Sequence, residues 1–313
     1  MAQPRPFRFA AQLSQAADAR AWAEQARKAE DLGFSTLLMP DHFGDQLAPV
    51  PAMMAAADAT TTLRVGALVF DNDYRHPLIL AKEAATLDLL SGGRLELGLG
   101  AGWMRSDYDE SGIAYDPPAE RVDRFEEGVA IITGLLESDK AFSFSGRHYT
   151  VTEHTGTPRP VQRPRPPIII GGGARRVLGI AGRLAEIVSI NVNLRAGTAG
   201  PESAHNATPD ATRQKIAWVK EAAGTRFDEI ELNTLIGFVM VTDDAQSVID
   251  AMAPALGIDP DDARHIPLAL IGTLDQMADE LEWRRQEYGI TYFSVESDAW
   301  ETLAPVVARL AGT

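Results

Sequence analysis

The sequence predicts an α/β fold of the (β/α)8 TIM-barrel type, with insertions, on three observations. Short apolar runs begin near positions 7, 34, 63 and 94, about 30 residues apart, which is the length of one strand, one helix and two short loops. These runs alternate with helical patterns, which implies a parallel sheet clothed by helices. Four further runs in the second half bring the strands to eight, a number that suits a closed barrel. A doubly wound open sheet is the competing arrangement.

The first strand is Phe7 to Leu13. Asp18 stands where a helix N-cap belongs, Trp22, Ala26 and Ala29 form an apolar stripe, and Gly33 stops the helix. Ser35 to Met39 is the second strand, ended by Pro40, and Leu63 to Phe70 is the third. A helix over about Leu78 to Leu90 ends at Ser91-Gly92-Gly93 and leads into the fourth strand, Arg94 to Gly100. A long helix, roughly Ala119 to Leu136, precedes a small hairpin at 142–151. The proline-rich stretch Pro158 to Pro167 then enters the fifth strand at Ile168-Ile169-Ile170. Glu186 to Ile190, Ile230 to Val241 and Thr291 to Val295 are the sixth, seventh and eighth strands. The chain is expected to be one domain over 1–313, because α/β barrels reach this size as one unit. An insertion is expected at about 139–165. A mobile lid loop is expected at about 195–209, where Gly, Ala, Thr and Pro collect without periodicity.

Composition narrows the function. A net charge of −15 argues against nucleic acid or an anionic membrane as partner, since both need a basic face. A phosphorylated small ligand remains open, because a few backbone N–H groups can hold it. The absence of cysteine excludes disulfides, thiolate catalysis and Cys-ligated metals. No apolar leader and no run of 18 apolar residues is found, so a soluble cytoplasmic protein is expected. No His/Asp/Glu cluster has metal-ligand spacing; His148 and His76 read as isolated, and no metal is expected. No Gly-x-Ser-x-Gly elbow occurs, which argues against a serine hydrolase.

Barrel active sites lie at the C-terminal ends of the strands, so the residues just beyond each strand carry the weight. His42, after the second strand, is the best candidate for proton transfer, because its ordinary pKa lies near neutrality. Asp41 beside it suits a ligand hydrogen bond. The competing reading has Asp41 capping a turn and His42 packing. Gly171-Gly172-Gly173, followed by a helix with Arg175 and Arg176, suits a phosphate at a helix N-terminus. A tight strand-to-helix turn is the alternative there. The small residues Gly98 to Gly102 suit a flat ligand against the backbone, or simple packing. Asn191 follows the sixth strand and is a pocket candidate with Trp103.

Several segments together resemble the bacterial luciferase-like family of flavin and deazaflavin enzymes, over nearly the whole chain. They are the first helix from Trp22 to Phe34, the Asp41-His42 pair and Arg75-His76-Pro77. The most specific is Ser91 to Trp103, followed by Glu120 to Glu127. Gly146 to Tyr149, Pro164 to Gly173 and Ala181 to Val188 complete the set. Within the family the resemblance extends to its deazaflavin branch. The resemblance implies coenzyme F420 as cofactor, with FMN the alternative. It implies that Asp41 and His42 contact the cofactor ring, His42 near the hydride-transfer centre. It also implies a bulge with a non-prolyl cis peptide at Ala67, Leu68 and Val69. Gly100, Ala101, Gly102 and Ser106 are expected to line the cofactor, and Gly171, Gly172, Gly173 and Arg176 to hold its phosphate. Where the sugar-phosphate dehydrogenases of the branch carry a Glu acid partner, this chain has Trp103. An aromatic there suits an apolar or flat substrate. The expected activity is hydride transfer between F420 and a small organic substrate. One rival is an FMNH2-dependent monooxygenase using O2; another is a non-catalytic flavin-binding member. A homodimer, and a flavin or F420 reductase supplying reduced cofactor, are implied as partners.

Overall fold

A computed structural model describes residues 5–198, 200–296 and 299–313. In chain order the first half carries β1 (Arg8–Gln12), α1 (Ala19–Asp31), β2 (Thr36–Met39), α2 (Pro49–Ala59), β3 (Arg64–Ala67), β4 (Phe70–Asp71), α3 (Pro77–Leu90) and β5 (Leu95–Gly100). Next come α4 (Arg105–Ser111), α5 (Pro118–Glu137), β6 (Phe142–Ser145), β7 (Thr150–His154), β8 (Ile168–Gly172), α6 (Arg175–Leu184) and β9 (Ile187–Ile190). The rest is α7 (Pro209–Ala223), β10 (Glu231–Ile236), β11 (Phe238–Val241), α8 (Ala245–Leu256), α9 (Pro260–Arg264), β12 (Ala269–Gly272), α10 (Leu274–Tyr288), β13 (Ile290–Glu296) and α11 (Ala299–Leu310).

The main sheet runs β3-β2-β1-β13-β10-β9-β8-β5-β4, all parallel, and β3 also pairs with β5. That last pairing closes the sheet, so the barrel reading holds and the open sheet does not. Two glycines make the seam. A Cβ on Gly98 would lie 1.7 Å from the Ala67 carbonyl oxygen, and one on Gly66 would lie 2.4 Å from that of Glu96. Only glycine lets these backbones approach so closely.

Side chains alternate across the barrel wall. Phe9, Leu37, Val65, Leu97, Ile170, Val188 and Phe293 face the helices and form one continuous core with them. Ala10, Leu38, Ile169, Ile187 and Tyr292 face inward, with Leu68 against them. Helix α1 forms as its sequence dictates: Asp18 accepts from the Ala21 N–H, and Trp22, Ala26 and Ala29 are buried. The Trp22 Nε1–H donates to the Ala52 carbonyl at 2.8 Å, locking α1 onto α2.

The architecture departs from the sequence reading in four places. The third strand stops at Ala67, and Leu68–Val69 is a non-prolyl cis peptide, the feature implied at 67–69. The seventh strand breaks at Gly237. Only β10 enters the barrel, while β11 leaves it to pair in parallel with β12 outside. Both Gly237 and Phe238 N–H groups donate to the Leu268 carbonyl, which draws the chain off the barrel wall. Helices α2 and α4 and strand β12 were not foreseen. Residues 195–198 and 200–209 form turns, a 3-10 helix over Pro201–Asn206 and the start of α7, with Ser203, Ala204 and Ala207 buried. The hairpin at 142–151 is present as the antiparallel pair β6–β7.

Candidate active site

The C-terminal ends of β2, β3 and β5 deliver a dense polar network. Beyond β2, Asp41 is buried. Its carboxylate takes both Arg75 guanidinium nitrogens, at 2.8 and 3.0 Å, and the Asp71 N–H at 3.0 Å. Asp41 is therefore not the free ligand acceptor that the sequence suggested. It fixes the loop after β4, because a bidentate Arg–carboxylate pair sets orientation as well as distance.

His42 is held differently. Its Nδ1 lies 2.6 Å from Asp107 Oδ2. The same carboxylate accepts from the Tyr74 hydroxyl at 2.8 Å and from the Phe43 N–H at 3.4 Å. The His42 ring meets Trp103 edge-on, with centroids 5.6 Å apart. A carboxylate on Nδ1 orients the ring and leaves Nε2 as the nitrogen that can exchange a proton. Asp107 was missed from sequence because α4, the short helix that carries it, was not foreseen.

Behind this pair the network continues. Asp71 is buried, and burial pushes its carboxyl up to about 7, aided by the nearby charges of Asp73 and Asp41. The Tyr108 hydroxyl donates to Asp73 at 2.9 Å and to Asp71 at 3.2 Å. Arg124 spans Asp73 and Asp116. Burial, with Asp71 next, raises the Tyr74 hydroxyl far above its ordinary value, so it stays protonated and donates. Gly102, at φ +73°, sits where a Cβ would overlap the Tyr108 hydroxyl and the Asp71 carboxylate.

The glycines on the opposite rim divide by what they touch. Val69, just after the cis peptide, packs on Gly100, where a Cβ would come within 2.4 Å of its Cγ2. A Cβ on Gly171 would meet Asn191 Nδ2 at 3.3 Å and Val69 Cγ1 at 3.5 Å. Gly100, Gly171, Val69 and Asn191 thus gather at one place. Asn191 Nδ2 donates to Ser189 Oγ at 3.2 Å. Gly173 abuts the backbone of Val192 and Asn193, and Gly172 abuts Val177, so packing needs both. Helix α6 starts at Ala174 with no side-chain cap, which leaves N–H groups free for an anion. Arg176 pairs with Asp123 on α5, an exposed contact. Ala101 and Trp103 are half-buried at the rim, and Ser106 is exposed on α4.

Three groups escaped the sequence reading beyond Asp107. Gln12 ends β1, more than nine-tenths buried, and its Oε1 has no partner among the described residues. Glu296 ends β13, and burial raises its carboxyl above the ordinary range while the neighbouring His42 charge pulls it down. Lys215 is buried, its ammonium donating to the Asn191 carbonyl at 2.8 Å and to the Asn206 carbonyl; burial lowers it to about 8. His148 is also not isolated. It lies with Glu120 and Asp123 in one cluster, where Arg147 and Arg176 already pair with the carboxylates.

Comparison with known proteins places this geometry. A match to the luciferase-like monooxygenase family covers residues 5–289. The chain belongs to that family. An FMNH2-dependent dimethylsulfone monooxygenase from Pseudomonas putida is 31% identical over 174 residues, 54% of this chain and 47% of that protein. An F420-dependent glucose-6-phosphate dehydrogenase from Amycolatopsis mediterranei is 30% identical over 52% of this chain and 50% of its own length. The chain spans about half the length of the curated relatives it matches. The fold of this luciferase-like chain is shared with the F420-dependent tetrahydromethanopterin reductase of Methanopyrus kandleri, at TM-score 0.75 and 22% identity, over 98% of both chains. Among the described residues no helix is long and apolar enough to cross a membrane.

Proposed function

We propose that this luciferase-like chain is an F420-dependent oxidoreductase that moves a hydride between the deazaflavin and a small organic substrate. The observation that carries this reading is the His42–Asp107 pair at the barrel mouth. An imidazole anchored at Nδ1 keeps Nε2 for proton exchange with a reacting group. Relatives that use F420 and relatives that use FMNH2 both match this chain; a flavin-type cofactor is common to them.

The residues fit such a cofactor. Gly100, Ala101 and Gly171 leave a rim of small residues around Val69, against which a flat ring can lie. The uncapped N-terminus of α6 suits its phosphate, held by backbone N–H groups. Arg176 reaches that phosphate by leaving Asp123, an exposed pair worth little on its own. Bound there, the deazaflavin supplies the hydride chemistry. The chain's residues position the substrate, exclude water and hold the proton on His42. Asp41 acts through Arg75 and the loop after β4, and Ser106 lies at the outer edge of the site.

Residues 195–209 are the lid in this reading. The Gly197 carbonyl accepts from the Arg105 N–H, so the segment crosses from the end of β9 to the loop after β5. Trp103 and Asn191 then face the substrate. A homodimer, and an external reductase that returns the cofactor to its reduced form, belong to the same proposal.

The rival is a two-component FMNH2-dependent monooxygenase, which the dimethylsulfone monooxygenase relative favours. Oxygen consumption separates the two. With F420H2 and candidate acceptors, the proposal expects cofactor oxidation that proceeds unchanged without O2. Turnover seen only with FMNH2 and O2 contradicts it.

A further inference from the structure

We propose that Glu296 is the second proton-holding residue of the site, set opposite His42 so that a substrate oxygen sits between carboxyl and imidazole. This rests on the hydride-transfer reading above, and it names the substrate class: a small carbonyl compound or the corresponding alcohol.

Position comes from the barrel's own alternation. On β13 the Tyr292 hydroxyl donates to Glu96 inside the barrel, and Ser294 Oγ accepts from Asn233 Nδ2 inside the barrel. Glu296, two residues further, points to the same face at the rim. It is in register with Gln12 of β1, and Gln12 is in register with Leu38 of β2. His42 follows β2, and its charge acts on the Glu296 carboxyl.

Nothing else claims that carboxyl. Among the described residues Glu296 has no ion-pair partner within 4.0 Å, unlike the other carboxylates that line the barrel interior, Glu96 and Glu231. Gly237, beside it after β10, has no side chain to offer; a Cβ there would lie 3.1 Å from Glu296 Oε2. From β1 it meets the neutral Gln12, from the end of β2 it meets His42 with Asp107 behind, and β10 brings no charge to the rim. Burial raises the carboxyl above its ordinary range, and the His42 charge opposes that rise.

Gln12 adds an independent mark. Its buried Oε1 is an acceptor without a donor among the described residues. Buried acceptors in native proteins are almost always satisfied, by protein groups or by ordered water, and one without a protein donor calls for an explanation. A substrate hydroxyl, or the Glu296 O–H, supplies the donor. The mouth therefore holds two proton carriers and an unanswered acceptor, which suits an oxygen that changes between carbonyl and hydroxyl.

The step balances. A hydride with its electron pair adds to the carbonyl carbon, and the C=O π pair moves onto oxygen. The oxygen takes the proton from Glu296, and the carboxylate regains one from solvent. A bound reduced deazaflavin would supply the hydride and release one proton to water, so the overall balance would be carbonyl plus F420H2 to alcohol plus F420. Alcohol oxidation runs the same transfers backwards, with Glu296 accepting the proton.

The test begins without cofactor. Carboxyl-carbon NMR titration reads Glu296, assigned by its loss in Glu296→Gln. In His42→Asn the Glu296 carboxyl should lose its proton at higher pH than in wild type, because the neighbouring His42 charge pulls it down. With F420 and a panel of small ketones and alcohols, Glu296→Gln should lose the carboxyl limb of the kcat–pH profile while F420 affinity stays within about twofold. An unchanged Glu296 titration in a folded His42→Asn protein overturns the proposal. Failure of the wild-type chain to bind F420 overturns the underlying reading instead, and the two failures are read in different experiments.

Discussion

The two ends of the barrel interior carry the same kinds of side chain and use them in opposite ways. At the N-terminal end, Glu96 accepts from Arg8 at 2.9 Å, Arg64 at 2.8 Å and the Tyr292 hydroxyl at 2.9 Å. Glu231 pairs with Arg8 at 3.2 Å. Both oxygens of Glu96 are answered, and the cluster closes the barrel floor. At the C-terminal end, the buried Gln12 Oε1 and the Glu296 carboxyl have no described partners, and His42 is anchored on one nitrogen only. A buried carboxylate answered by cations stabilises and specifies a fold; one left without a cation is available to a ligand. The difference assigns structure to the floor and chemistry to the mouth, as expected of this barrel type.

Breaking the floor should give the largest effect on stability. Glu96→Ala removes the buried carboxylate shared by the half-buried Arg8 and Arg64 and leaves Arg8 only Glu231; breaking a buried pair costs up to about 3–5 kcal/mol. A lower denaturation midpoint, with any remaining folded protein still binding cofactor, is the expected outcome. A shift of less than about 1 kcal/mol would mean that the floor is not a closed ion cluster.

At the mouth, His42→Ala should slow hydride transfer by about 10²–10⁴-fold, with the melting temperature almost unmoved. Stopped-flow cofactor oxidation reads the rate, and calorimetry reads the melting. Loss of stability together with rate would return His42 to a packing role.

Asp107→Asn is expected to fall next in size. It keeps the shape but exchanges an anion for an amide beside His42 Nδ1, so the imidazole loses its preferred tautomer and charge support. Loss of such an orienting group lowers activity by about 10–100-fold. KM should change little compared with kcat.

The smallest effect lies far from both ends. Glu30 accepts from the N–H groups of Thr61 and Leu63 and from the Thr62 hydroxyl. Partial burial works against its charge, but the bonds from Thr62, Leu63 and Thr61 outweigh it and hold the carboxyl at about 2, against an ordinary 4.5. The folded value is depressed, so the stabilisation is full above pH 4.5 and is lost as pH falls toward 2. Glu30→Gln should cost about 1–2 kcal/mol at neutral pH after allowance for solvent screening, and less at pH 3. Urea midpoints at the two values measure it.

Much of the barrel was readable because its strands are short apolar runs with turn signals at regular spacing. The Asp18 cap, the Trp22 stripe and Gly33 fixed α1 by local rules alone. Helix α2 hid because its Ala, Met and Pro residues show no polar face from which to read a period. Strand β11 hid because it continues β10 in sequence while its side chains are mostly exposed in space. The site was legible where one residue type carries its own chemistry, as His42 does. It was not legible where the meaning is tertiary. Asp107 becomes an orienting group only when α4 folds back on β2, and Asp41 is bound by Arg75, 34 residues away. Glu296 acquires a role only because β13 closes beside β1.

The most direct test of the hydride-transfer reading is a titration of the purified protein with F420 and, separately, with FMN, followed by tryptophan fluorescence in wild type and in Trp103→Phe. The account expects F420 to bind in the micromolar range, FMN much more weakly, and most of the quenching to vanish in the variant, since Trp103 stands against His42. Tight FMN binding with no response to F420 would contradict it and assign the barrel mouth to oxygen chemistry.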